Sequence, residues 1–205
     1  MKMNISMCFA VQLVLCALPR IARPAPITTT TNAMDDDFNN TVETSWSLIK
    51  KVIDDIPGTH EACITVKGMT LDPNDDLFQW EYVANSIGIP SAPSLALPST
   101  SVSETLSQIL AGLQLHKGVL EAVKDRLSSP GRVKLLLADL EDLLVQINMA
   151  LQHLNIPPPV EPAALNVSKL TDYEVQVMTH MTLARLQRFG QEAFRFLRSL
   201  LPNDP

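Results

Sequence analysis

The chain has 205 residues, 46% of them apolar and 19% charged, with 7 Gly and a formal net charge of −6. That apolar share supports a buried core and excludes a wholly disordered chain. The acidic balance excludes the basic stripe that nucleic-acid phosphates require, so no nucleic-acid partner is expected.

Lys2 precedes an apolar run from Met7 to Leu18 that is too short to span a bilayer and fits a signal-peptide core. Residues 1–22 are read as a secretory leader, with Ala17 or Ala22 before the cut, and 23–205 as the mature extracellular domain. No later run approaches the roughly 20 apolar residues of a spanning helix, so no membrane insertion is expected. Cleavage removes Cys8 and Cys16 and leaves Cys63 unpaired, either as a buried, inert thiol or as one half of an intermolecular disulfide. Secretion also gives meaning to two glycosylation sequons, at Asn39 and Asn166, which belong on surface segments.

A first helix is predicted over 37–56. Val42, Trp46, Ile49, Ile53 and Ile56 recur at helical spacing, and Pro57-Gly58 ends the run. After a link over 57–101, rich in Pro and Ser, Ser101–Glu104 reads as a capping box that opens a helix over 101–127. Its core line is Val102, Leu106, Ile109, Leu113, His116, Leu120, Val123 and Leu127, the most regular in the chain. Ser129 and Pro130 start a third helix, 130–156, whose core face carries Val133, Leu136, Leu140, Leu144, Ile147, Leu151 and Leu154. A linker beginning Pro157-Pro158-Pro159 leads to a second capping box, Thr171–Glu174, and a fourth helix over 172–201. Its line is Val175, Met178, Thr182, Leu186, Phe189, Ala193, Phe196 and Leu200. Within the first link, Leu77 to Ile87 is a candidate short helix.

The connections are long, short, long. The short one makes the second and third helices antiparallel neighbours, and both long ones can run the length of a bundle. The expected fold is therefore all-α, an up-up-down-down four-helix bundle with two long crossovers.

No catalytic or cofactor motif occurs, and no two of the four His stand at metal-ligand spacing on one helix face, so no enzyme, cofactor or metal is expected. Binding remains. Glu43, Ser47, Lys50, Lys51 and Asp54 fall on one flank of the first helix. The third helix carries Leu135, Val145 and Met149 beside Asp142 opposite its core face, with Asp139, Gln146 and His153 close by. An outward apolar strip needs a cover, and neighbouring acids suit a partner that presents Arg or Lys around an apolar anchor. Arg188, Arg195 and Arg198 on the last helix complement its dipole.

The string Ser86-Ile87-Gly88-Ile89-Pro90-Ser91-Ala92-Pro93 is followed by Leu106-Ser107-Gln108, Gly112-Leu113, Leu115, Gly118, Leu120 and Ala122. With Asp139–Asp142 and Phe194–Arg198, these residues resemble the granulocyte colony-stimulating factor family of long-chain helical cytokines, well over 77–201 and loosely in the first helix. The resemblance implies a cytokine, monomeric when free, that dimerises a class I cytokine receptor and promotes granulocyte and myeloid proliferation and differentiation. It implies a major receptor surface at Asp139 and Asp142 with Lys50 and Lys51. The family's glutamate on the first helix falls on Ser47, with Glu43 one turn earlier as a replacement. Its crossover acid falls on Gln79, so Asp76 or Glu81 would substitute. Its two disulfides are missing. Cys63 matches one partner of the first bridge, and Leu97 and Thr105 stand near the second. An interleukin-6-like cytokine and, from another class, an exchangeable lipid-binding helical bundle are the alternatives.

Overall fold

The computed structural model describes residues 29–72, 78–92, 95 and 101–202. The expected leader, with Cys8 and Cys16, lies outside the described residues, as does Asp76. The chain divides between Ala33 and Met34, and the unit Met34–Pro205 holds the helical core.

The described residues are all-α, with five α-helices and no strand: α1 Thr29–Cys63, α2 Phe78–Ser86, α3 Val102–Val123, α4 Pro130–His153 and α5 Asp172–Leu200. A 3-10 turn, Lys124–Arg126, follows α3. Each apolar line buries as its period dictates. Leu106, Ile109, Leu113 and Leu120 of α3, Leu140, Ile147 and Leu151 of α4, and Leu186 and Ala193 of α5 are fully buried. α3 packs on α4 and α5, and α2 on α5. α1 joins through side chains. Phe38 meets His153 edge-on, Trp46 stacks on Phe194, Ile49 and Ile53 fill the space beside Gly190, and His60 reaches His180.

The expected ends are corrected in several places. Pro57-Gly58 does not end α1, which begins before 37 and runs on to Cys63 with Pro57 inside it. Proline removes one backbone hydrogen bond. Burial of Thr59, His60 and Cys63 and the Ser128 hydroxyl, which donates to the Ala62 and Cys63 carbonyls, hold the last turn nonetheless. The periodic line of α1 begins at Val42, so the turns before it leave no periodic trace. α3 stops at Val123, tightened into the 3-10 turn before Ser128-Ser129-Pro130. α4 stops at His153 because Asn155 turns left-handed, with φ 57°, and the Ile156 N–H bonds back to the Leu151 carbonyl. Leu154, expected in the core line, is therefore 36% exposed, and Val102, in the open first turn of α3, is 38% exposed.

Thr171 and Glu174 form a full capping box. Ser101 Oγ accepts the Glu104 N–H, and Ser129 occupies the N-cap of α4 without a side-chain cap. In α5, Val177, Met181 and Ala184 face away from the central core and are nevertheless buried. The first crossover accounts for this. α2 packs there, with Trp80 edge-on to His180, and Met69, Ile89 and Leu95 join the core cluster.

Candidate functional site

The α1 and α4 side chains singled out by the sequence meet at one ion pair. Lys51 Nζ donates to Asp139 Oδ1 at 2.6 Å, which ties α1 to α4. Asp139 is only 8% exposed, whereas Lys51 is mostly in water. The hydrogen bond to Asp139 raises the Lys51 ammonium above its ordinary pKa, desolvation opposes it, and the field of Asp139 adds to the rise. Asp139 thus faces inward to its own lysine. Asp142, one turn on, is exposed, and Gln146 is half-buried.

Lys50 and Lys51 diverge although they are adjacent. Lys50 stands one turn after Trp46, whose ring stacks on Phe194 of α5, so it lies on the α5 side of α1, while Lys51 turns to α4. Glu43, Ser47, Lys50 and Asp54 form an exposed row along α1. On α4 the outward apolar residues expected from the sequence are open, Leu135 at 65%, Val145 at 49% and Met149 at 41% exposure. Between the two helices lies a shallow groove of about 400 Å³, walled by Asp37, Asn40 and Thr44 of α1 and by Gln146, Met149 and His153 of α4.

The crossover acid Glu81 is committed internally. Both its carboxylate oxygens accept from Arg185 Nη2, at 3.1 and 3.2 Å. The side chain of Gln79 lies outside the described residues. Of the sequons, Asn166 is on an exposed loop, where its Oδ1 accepts from the Ser168 N–H and hydroxyl. Asn39 is half-buried within α1, and its Thr41 is buried with the hydroxyl bonded to the Asp37 carbonyl. Cys63 is a free, fully buried thiol that donates to the Ser129 carbonyl at 3.6 Å, and burial raises its pKa.

Two buried histidine sites escape sequence reasoning. His60 Nε2 and His180 Nδ1 are 2.9 Å apart, and burial lowers the pKa of His60. Their separation of 120 residues leaves no local signal. His116 was legible only as a core position. It packs against Phe189, its Nε2 lacks a partner, and burial, with the charge of Arg185, lowers its pKa to about 4. Among the described residues no cluster of His, Cys, Asp and Glu could hold a metal ion, and no helix is long and apolar enough to cross a membrane. No family model matches this chain, and none of the curated proteins matches it.

Proposed function

We propose that the chain is a secreted long-chain cytokine of the granulocyte colony-stimulating factor type, which binds and dimerises a class I cytokine receptor and so promotes granulocyte and myeloid proliferation and differentiation. The observation that carries this reading is the α4 face. An open strip of Leu135, Val145 and Met149 flanks exposed Asp142 on α4, and Met149 also walls the groove between α4 and α1. Buried apolar contact supplies most of the affinity at such a face, and the charges steer and orient the partner.

An up-up-down-down topology belongs to the same proposal. Along α1 from Phe38 to Lys51 the α4 partners descend from His153 to Asp139, and from Trp46 to His60 the α5 partners descend from Phe194 to His180. Along α3 and its 3-10 turn, His116 meets Phe189 and Arg126 meets Asp172. These orders support α1 and α3 running one way with α4 and α5 returning.

The test is binding of the purified chain to a soluble granulocyte-type receptor ectodomain, with an interleukin-6-type ectodomain and anionic vesicles as parallel arms. Saturable binding to the first alone, lost in Asp142→Lys, is the expected result. Binding to vesicles without receptor binding would replace the cytokine reading with a lipid-binding one.

A further inference from the structure

The chain holds two Asn-x-Ser/Thr triplets, Asn39-Asn40-Thr41 and Asn166-Val167-Ser168, and the fold treats them in opposite ways. In the second crossover Leu165, Val167 and Leu170 pack against the core, while the intervening Asn166, Ser168 and Lys169 are exposed. Arg126 Nη1 donates to the Val167 and Leu170 carbonyls, at 3.1 and 2.8 Å, and pins this turn to the 3-10 turn after α3. Asn166 is thus held outward on an irregular surface segment, where a bulky polar substituent displaces no packed atom.

The two donors of the third residue separate the triplets. Ser168 gives both its N–H, at 3.1 Å, and its hydroxyl, at 2.7 Å, to Asn166 Oδ1. Nδ2, the other arm of the planar amide, stays uncommitted among the described residues. Thr41 does the reverse. It lies inside α1, where its N–H belongs to the helical ladder and its hydroxyl donates to the Asp37 carbonyl at 2.8 Å. Neither donor can turn to Asn39 unless α1 unwinds there, and Thr41 is buried with Asn39 half-buried. The adjacent Asn40 walls the groove between α1 and α4, which a sugar on Asn39 would crowd.

We propose that Asn166 carries an N-linked oligosaccharide and that Asn39 carries none. Asn166 Nδ2 forms a bond to the anomeric carbon of an oligosaccharide carried on a lipid pyrophosphate. The bond from that carbon to the pyrophosphate oxygen breaks, the lipid pyrophosphate leaves with the electron pair, and the amide gives up one proton. The assignment rests on the reading of the chain as secreted, since that donor and its transferase belong to the secretory pathway. Among the described residues the groove between α1 and α4 takes none from the second crossover, so the sugar leaves it uncovered.

The full chain is expressed in cultured animal cells with its own residues 1–22 and, in parallel, with a proven secretory leader in their place. Chain from the medium, or from the cells where the medium holds none, is treated in heavy-oxygen water with the amidase that releases N-glycans. Each glycosylated Asn becomes a labelled Asp, and the peptides over Asn39 and Asn166 are read by mass spectrometry. Label at Asn166 and none at Asn39 is the expected result, with one glycoform that Asn166→Gln and Ser168→Ala both remove and Asn39→Gln leaves unchanged. Should Asn166→Gln fail to fold, the label in the parent chain and the exposed Ser168→Ala decide. Asn166 unlabelled in the chain with the substituted leader, or Asn39 labelled in either chain, overturns the proposal whatever the natural leader does. Export with the substituted leader alone, with Asn166 labelled, overturns the secreted reading and keeps the site assignment.

Discussion

Asp139 is nearly buried with one strong partner, and Lys51 is mostly in water, so the two halves of this pair are not equivalent. Lys51→Met strands a carboxylate that has little access to solvent, whereas Asp139→Ala leaves an ammonium free to hydrate. Urea unfolding should therefore give a lower midpoint for Lys51→Met than for Asp139→Ala; the reverse order would mean that the pair is open to solvent. Asp142 is exposed and adds only the smallest of the fields that favour the Lys51 ammonium, so Asp142→Lys should lower the midpoint far less than Lys51→Met does. His116 supplies a pH dependence. Its pKa of about 4 in the fold lies below the ordinary value of 6.5, so the unfolded chain binds the proton more readily. The stability from neutral burial is complete above pH 6.5 and is lost as pH falls towards 4, by on the order of 3 kcal/mol. His60, lowered by burial, adds in the same direction. Urea midpoints should fall across this window, and His116→Gln should flatten the slope.

At the scale of elements, α3 contains two glycines with opposite demands. A Cβ at Gly112 would run into the Phe189 ring, while a Cβ at Gly118 would meet nothing within 4 Å. Gly118→Ala should stabilise the helix by about 0.5–1 kcal/mol through backbone entropy. Gly112→Ala gains the same entropy but overpacks, which costs about 1–3 kcal/mol, so its midpoint should fall. Thermal and urea unfolding of the two variants check both signs. The regular lines of α3, α4 and α5 were legible in the sequence because a helical period is local, and the short 128–129 break was legible for the same reason. The end of α1 was not. Pro57 carries a local stop signal, and what overrides it is distant: Ser128 and the Gln176 side-chain amide, which donates to the Cys63 carbonyl. The candidate face was legible as a list of outward residues. Its wiring was not, since Lys51 and Asp139 lie 88 residues apart and Glu81 and Arg185 lie 104 apart.

For the molecule as a whole, the first crossover does the work of a lid over α5. Val177 and Met181 would be open to water without it. Its only described helix, α2, has nine residues, too few to be stable alone, and it packs chiefly on α5. Besides the burial of Ala84 and the packing of Val83, it is fastened there by Glu81 to Arg185 and by Trp80 to His180. A short peripheral helix packed on one side opens at lower free energy than the central helices. Hydrogen exchange should therefore find the α2 amides opening well before those of central α3 and α5. Glu81→Gln should speed exchange in α2 and leave central α4 unchanged. Equal acceleration across α2, α3 and α4 would instead show that the crossover unfolds only with the whole core, and that Glu81 contributes to global stability rather than to fastening the lid.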